Sequence, residues 1–456
     1  MQIGFESIGN ATIVVHDTQP ILVTDPWITP DAYFGSWTLS HEIPSEQRAS
    51  ILQSKFVWFS HGHPDHLNFE SLPSFRQKMI LLPDHLGGRI AKGLREDGYK
   101  VTVLRDRKWY ELSANVKVMC WADHYQDSIL FVDVKGNLLI NCNDAVDFGR
   151  DRFVRHISKN YKNSFLFSIS SLGIADMLNY YDENGKFIIP KEYLHRPPAG
   201  LENAHKTERF GARYFVPNSS FHFFQRTDSA WANEFSRPLE ELYKGFESKK
   251  CEILPAFIRY DLARNTFQEI NPPAKPLVLK DPKQFGDDWS EELAAGELQE
   301  IDSYFKKVEH LGNFLDFINI RVGKKDNLIS WKKGQFQRGL TLECPRASLM
   351  TCVRYRIFED LLIGNFMKAT LHGNWPVPDL NADFSIYVGK YADNGFAYTE
   401  REVKKYLAAY AFRAMEFRPY YWIPVMRKTL GKYLRLLPGF ENLRRGKSLA
   451  EAKGIS

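Results

Sequence analysis

Residues 56–68 read FVWFSHGHPDHLN: an apolar run of strand composition, then at once His61, His63, Asp65 and His66. Side chains alternate along an extended strand, so residues 61 and 63 project to the same side. A turn at Pro64 then swings Asp65 and His66 to a second position. Two imidazoles can hold one metal ion, and a carboxylate with an imidazole can hold a neighbouring one. Thirteen histidines among 456 residues rarely fall into this arrangement by chance. The bland alternative is a polar loop that happens to be rich in histidine.

Short runs rich in Val, Ile and aromatics surround this stretch and read as strands: 11–16, 20–25, 56–60, 79–83, 101–104, 115–122, 128–134, 137–144 and 164–170. Lys135-Gly136 suggests a hairpin turn, and 84–99 reads as a helix with Asp84 as its N-cap. Many strands with helices between them predict an α/β fold of stacked sheets with outer helices. Two strand ends offer further ligands. His124 follows 115–122, although a lone histidine is more often a surface or satisfied core residue. Asp144 ends 137–144, where its carboxylate could bridge two ions.

The length suggests two or three domains. Hydrophobic residues at 44% and charged residues at 25% exclude wholesale disorder and fibrous repeats. A net charge of +5 argues against a dedicated nucleic-acid binder. Five scattered cysteines form no CxxC or CxH pair and suit a reducing compartment. No signal-like opening and no 18-residue apolar run occur, so a cytoplasmic address is expected. The expected division is a metal-binding domain over 1–270, a Pro- and Lys-rich linker over 271–290, and an α-rich region over 291–456. Within that last region 291–318 and 346–371 read as helices and 381–389 as a strand. Residues 401–456 hold 13 basic against 4 acidic residues. That basic tail suggests a phosphate-holding surface, a peripheral membrane contact, or simply a solvated helix face. Pro419, Pro424 and Pro438 would limit any helix in it.

The order of the ligand candidates resembles the metallo-β-lactamase superfamily, an αββα sandwich. There an early acidic residue, here Asp25 in VTDPW, precedes the HxHxDH run, a single histidine (His124), a bridging aspartate (Asp144) and a last histidine. His222 in FVPNSSFHFF and His205 in ENAHKTER compete for that last place. The opening IGNATIVV…ILVTDPW resembles the branch with lactonases and phospholipase-D-like enzymes, which often has histidine where this chain has Asn10. The stretches DPWITPDAYFGSWTLSHEIPSE (25–46), ILQSKFVWFSHGHPDHLNFESL (51–72), LLINCNDA (138–145) and FEDLLIGNFMKAT (358–370) are similar to the metallo-β-lactamase-like part of the CMP-N-acetylneuraminate hydroxylases. Those enzymes also carry a Rieske domain, and its Cys-x-His and Cys-x-x-His pairs do not occur in this sequence.

The resemblance implies two metal ions, iron or zinc, held by His61, His63, Asp65, His66, His124, Asp144 and His222, with Asp65 catalytic. It places Asp25 behind a ligating histidine, and Trp27, Trp37, His41 and Glu42 near the pocket; plain core packing is the other reading of the tryptophans. The expected function is a di-iron, hydroxylase-like oxygenase acting on a polar, anionic small molecule, with an external electron-donor protein. The first alternative is a zinc hydrolase of a phosphodiester, ester or lactone. The second is a non-catalytic metal-binding module.

Overall fold

The computed structural model describes residues 2–145, 151–169, 177–189, 196–332, 334–376 and 380–413. Two sheets face each other. The first has eight strands, in the order Thr266–Glu269, Ile258–Asp261, Ile3–Ile8, Thr12–Asp17, Gln19–Thr24, Phe56–Trp58, Met79–Pro83 and Lys100–Leu104. The second has seven, in the order Glu252–Ile253, Tyr214–Pro217, Ser164–Ser168, Asn137–Asn143, Ser128–Val134, Val116–Ala122 and Trp109–Glu111.

The apolar runs of the central strands are continuous because those strands are buried on both faces. Val15, Leu22, Trp58, Leu130, Leu139 and Phe165 point into the space between the sheets. Their neighbours point outward: Val14, Val23 and Val57 form one outer cluster with Ile51 and Leu94, and Phe131, Ile140 and Leu166 form the other with Phe153 and Phe210. Those last partners sit on the helices Ser45–Gln53 and Arg89–Glu96 outside the first sheet, and Asp151–Ser158 and Ala199–Phe210 outside the second. The result is the αββα sandwich of the metallo-β-lactamase fold. Lys135 and Gly136 both take positive φ (50° and 79°), which makes the expected two-residue hairpin loop. The helix expected over 84–99 is shorter, starting after Gly88 rather than Asp84.

The described C-terminal region holds more helix than strand, yet it supplies four of the five strands of a third sheet, in the order Tyr180–Tyr181, Lys368–Gly373, Arg338–Glu343, Phe317–Val322 and Lys325–Ser330. Three sequence expectations are corrected here. The helix expected over 291–318 is two helices, Glu297–Lys306 and Glu309–Gly312, and Phe317 already belongs to a strand. The helix expected over 346–371 is interrupted at Arg356, whose φ of 56° cannot continue it. It resumes as Glu359–Ile363 and gives way to the strand Lys368–Gly373. The strand expected over 381–389 lies in a π-helix, Asn381–Asn394. Its buried Phe384, Val388 and Ala392 recur every four residues, a helical spacing that the local alternation concealed.

The expected boundaries are also crossed. Tyr180–Tyr181 pairs with Lys368–Gly373, so part of 1–270 belongs to the third sheet. The 271–290 excursion is pinned back, Glu42 N donating to Pro273 O and Lys275 N to Ser40 O. No helix among the described residues is long and apolar enough to cross a membrane. The basic tail beyond Arg413 lies outside the described residues.

Candidate metal centre

The centre forms where strands of both sheets end. Asp25, just past Gln19–Thr24 and held at φ 42°, accepts from Ser60 N (2.7 Å). That bond sets the direction of the chain as it leaves Phe56–Trp58. His61 and His63 then converge, His61 Nε2 lying 2.9 Å from His63 Nδ1. Pro64 begins a helical turn, with His66 N and Leu67 N both donating to His63 O. This turn brings His66 Nε2 within 3.2 Å of Asp65 Oδ2 and 3.1 Å of Asp144 Oδ2. Asp144 stands just after Asn137–Asn143, its Oδ1 fixed by Ser219 Oγ at 2.9 Å. Two groups result, His61–His63–Asp144 and Asp65–His66–Asp144. Within each, the donor atoms lie within 4.8 Å of one another, and Asp144 is common to both.

The electrostatics fit a cation. Burial pulls the His66 imidazole down, but Asp65, Asp144 and Asp25 outweigh it and hold the group well above its ordinary value. Burial, with His66 and His63 adding to it, holds His61 well below its ordinary value. Burial would raise Asp65; the charge of His66 and the hydroxyl of Tyr33 outweigh it and keep the carboxylate ionised.

His222 stands near this centre, within the field of Asp65 and Asp144, without joining either donor group. Its ring is buried, stacks on Trp37 with centroids 3.4 Å apart, and has no hydrogen-bond partner on either nitrogen. Burial pushes it down to about 3, against the pull of Asp65 and Asp144. An uncharged, unpartnered imidazole in a buried site is costly unless it has a ligand. His205 instead lies exposed on the helix Ala199–Phe210.

Other expectations separate. The structure does not bring His124 into either donor group; its ring lies beside Tyr125 (4.1 Å between centroids), and its carbonyl accepts from Tyr406 Oη. Asp25 does stand behind a histidine, Oδ2 being 3.1 Å from His66 Nδ1. Trp37 supports His222, whereas Trp27 is fully buried in the cluster behind it. His41 bonds Ser40 Oγ and packs on Phe257, and Glu42 contributes its backbone to the 273 segment; neither lines the cleft.

Sequence reading missed four contributors. Tyr33 Oη donates to Asp65 Oδ1 (2.6 Å), while Asn10 Nδ2 donates to Oδ2 (2.9 Å). Glu359 Oε2 lies 3.3 Å from His63 Nε2, and Lys390 Nζ lies 3.1 Å from Glu359 Oε2. Asn10 was noticed only as a departure from a pattern. Glu359 sits in FEDLLIGNF and Lys390 in IYVGKYA: charges set in apolar runs, a signal that could have found them. Beside His61 and His63 a cleft of about 190 Å³ opens, walled by Arg89, Ile90, Arg356, Phe358, Glu359 and Lys390, among others.

The stacked sheets and the two donor groups are the arrangement that the sequence resemblance to the metallo-β-lactamase superfamily implies. A narrower likeness is to the cytidine monophosphate-N-acetylneuraminic acid hydroxylases. The chain is 26% identical to that of Asterias rubens over 136 residues, 28% of this chain and 21% of the relative. The match thus spans about a fifth of that relative's length. No family model matches. Among solved structures, a metallo hydrolase from Ignicoccus hospitalis covers 59% of this chain and 99% of its own at 12% identity and a TM-score of 0.36. A diiron β-hydroxylase from Streptomyces venezuelae covers 59% and 54% at 13% identity and a TM-score of 0.35.

Proposed function

We propose that the chain is a dinuclear, iron-dependent oxygenase of hydroxylase type, acting on a polar, anionic small molecule. The observation that carries this reading is the donor set. His61, His63 and Asp144 are two imidazoles and one carboxylate, a combination that suits non-haem iron with open positions. Asp65, His66 and the shared Asp144, with His222 beside them, would hold the second ion. Two bound ions would supply dioxygen activation at this edge of the sandwich.

The protein's part is to fix the donors and shape the approach. Ser60 Oγ anchors His61 Nδ1 at 2.8 Å, Asp25 anchors His66, and Tyr33 with Asn10 holds both oxygens of Asp65. Arg89, Arg356 and Lys390 line the cleft together with Asp97, Glu359, Asp360 and Asp393, a charged lining that suits a polar substrate; the anionic, nucleotide-sugar class follows from the likeness to the hydroxylases. Putting one oxygen atom of dioxygen into a C–H bond sends the other to water and consumes two electrons and two protons. The reading therefore includes an electron-donor protein as partner.

The test begins with metal analysis of protein purified without added metal; two irons per chain are expected. The purified chain is then given a reductant, cytidine monophosphate-N-acetylneuraminic acid and ¹⁸O₂, and the expected product carries one labelled oxygen. Two zinc ions, with turnover of phosphodiesters or esters in the absence of oxygen, would replace this reading by metal-assisted hydrolysis.

A further inference from the structure

Each histidine of the HxHxDH run turns one ring nitrogen toward the centre and has the other tied down. His61 Nδ1 meets Ser60 Oγ, and His66 Nδ1 meets Asp25 Oδ2. Both anchors come from the sandwich, next to the strand ends that deliver the histidines. The anchor on His63 is of another origin. Its Nε2 meets Glu359 Oε2 at 3.3 Å, across 296 residues of chain. With His63 Nδ1 turned to an ion, the ring's proton would sit on Nε2, which lies 3.3 Å from Glu359 Oε2 and 3.5 Å from Lys390 Nζ. Glu359 can accept that proton; the neighbouring Lys390 ammonium, a donor only, cannot.

Glu359 is itself held on two sides. Ser385 Oγ donates to its Oε1 at 2.9 Å and Lys390 Nζ pairs with Oε2 at 3.1 Å. Both partners sit on the π-helix Asn381–Asn394. Gly389 between them lets that backbone come close, since a Cβ there would lie 3.0 Å from Glu359 Oε2. The glutamate, the lysine and the serine are all buried. A buried carboxylate on the far nitrogen of a ligating imidazole fixes its tautomer and orientation and raises its basicity.

We propose that Glu359, clamped by Ser385 and Lys390, is the positioning residue of His63, and that the C-terminal region thereby completes one of the two metal sites. The inference rests on the reading that His61, His63 and Asp144 hold an ion. It goes beyond that reading by assigning the integrity of one site to a region outside the sandwich.

The test uses the full chain, stripped of metal and titrated with cobalt(II), whose optical bands report the geometry of each bound ion. Wild type should bind two ions. Glu359→Gln keeps an acceptor but loses the charge; it should bind one of the two about 10- to 100-fold more weakly, with an altered band for that ion and an unchanged second ion. Ser385→Ala leaves the charge in place and loosens its hold. It should weaken the same ion severalfold, and it serves where Glu359→Gln does not fold. Wild-type affinity and spectrum in the folded variants would overturn the proposal. Equal weakening of both ions would also overturn it, because a general structural role would act on both. If wild type takes up no cobalt, the metal reading itself fails and this proposal with it.

Discussion

The sandwich and the C-terminal region solve the same packing problem with different legibility. In the sandwich each strand is a short apolar run with turn residues at its ends, and successive residues serve two cores, as Val57 and Trp58 do. In the C-terminal region one core takes residues from helix, strand and π-helix alike: Phe305, Leu340, Leu361 and Phe384 meet in a single cluster. The sandwich delivers the donor groups. The C-terminal region reaches into that centre through Glu359 and Lys390 and walls the cleft above it. A region whose architecture is hard to read can therefore still be part of the chemistry.

The sharpest way to break this division of labour is to remove what both donor groups share. Asp144→Ala should abolish binding of both ions, whereas His61→Ala with His63→Ala should remove at least one and leave Asp65 and His66 in place. Metal content per chain, measured after gel filtration, checks both. Full metal content in Asp144→Ala would show that the centre is not built around the bridge. Asp65→Asn should keep the fold and abolish turnover, because a carboxamide binds an ion worse than a carboxylate.

The centre was legible where its residues are local. His61, His63, Asp65 and His66 announce themselves by spacing, and Asp25 and Asp144 by standing at strand ends. His124 satisfied the same criterion, yet Tyr125 and Tyr406 engage its loop instead; order along the chain does not fix which way a loop side chain turns. Tyr33 gave no signal, because its hydroxyl reaches Asp65 only through a loop in which Tyr33, Phe34 and Gly35 all have positive φ. The third sheet was hidden for a related reason. Its strand Lys368–Gly373 follows a helix after a few residues, and apolar residues in so short a stretch serve either period.

A second break separates the two regions mechanically. Arg226, fully buried, pairs with Asp228 at 2.8 Å and with Asp287 at 2.7 Å, and lies 4.0 Å over Phe366. Asp287 in turn accepts from Ser348 N and Oγ. One guanidinium thus ties the sandwich to the C-terminal helices. Arg226→Met keeps the bulk and strands two carboxylates, so it should cost about 3–5 kcal/mol in denaturant unfolding. A loss below about 1 kcal/mol would mean that the junction is held by apolar packing alone.

Acid sharpens the comparison from the sandwich side. Burial would raise the Glu6 carboxyl, but His16 and Arg259 outweigh it and hold the group at about 2, against 4.5 when exposed. A depressed carboxylate stabilises the fold fully above its unfolded value and loses that contribution as pH falls through its folded value. Glu6 should therefore contribute up to about 3 kcal/mol above pH 4.5, fading toward pH 2. Wild type and Glu6→Gln should differ most near neutrality and converge across that window when unfolding is followed by circular dichroism. A constant difference over the same range would show that Glu6 is held by shape and not by charge.

The smallest effect asks whether the two regions unfold as one. Thr399 caps the helix Glu400–Phe412: its Oγ1 accepts from Glu402 N, while Glu402 Oε2 accepts from Thr399 N at 2.9 Å. Thr399→Ala should cost about 1 kcal/mol. How that loss appears is the informative part. The helix is stitched to the sandwich, since Gln126 Nε2 donates to Tyr406 Oη at 2.6 Å and Leu86 N donates to Tyr410 Oη at 2.8 Å. Gln126 lines the cleft beside the metal centre, which Glu359 approaches from the helix Glu359–Ile363. With Arg226 buried across the junction as well, separate unfolding would expose charges and break these bonds at once. A single transition should therefore shift as a whole, seen equally by tryptophan fluorescence and by far-ultraviolet dichroism. Two transitions, of which Thr399→Ala moves only the first, would show that the C-terminal region is an independent unit that merely docks on the sandwich.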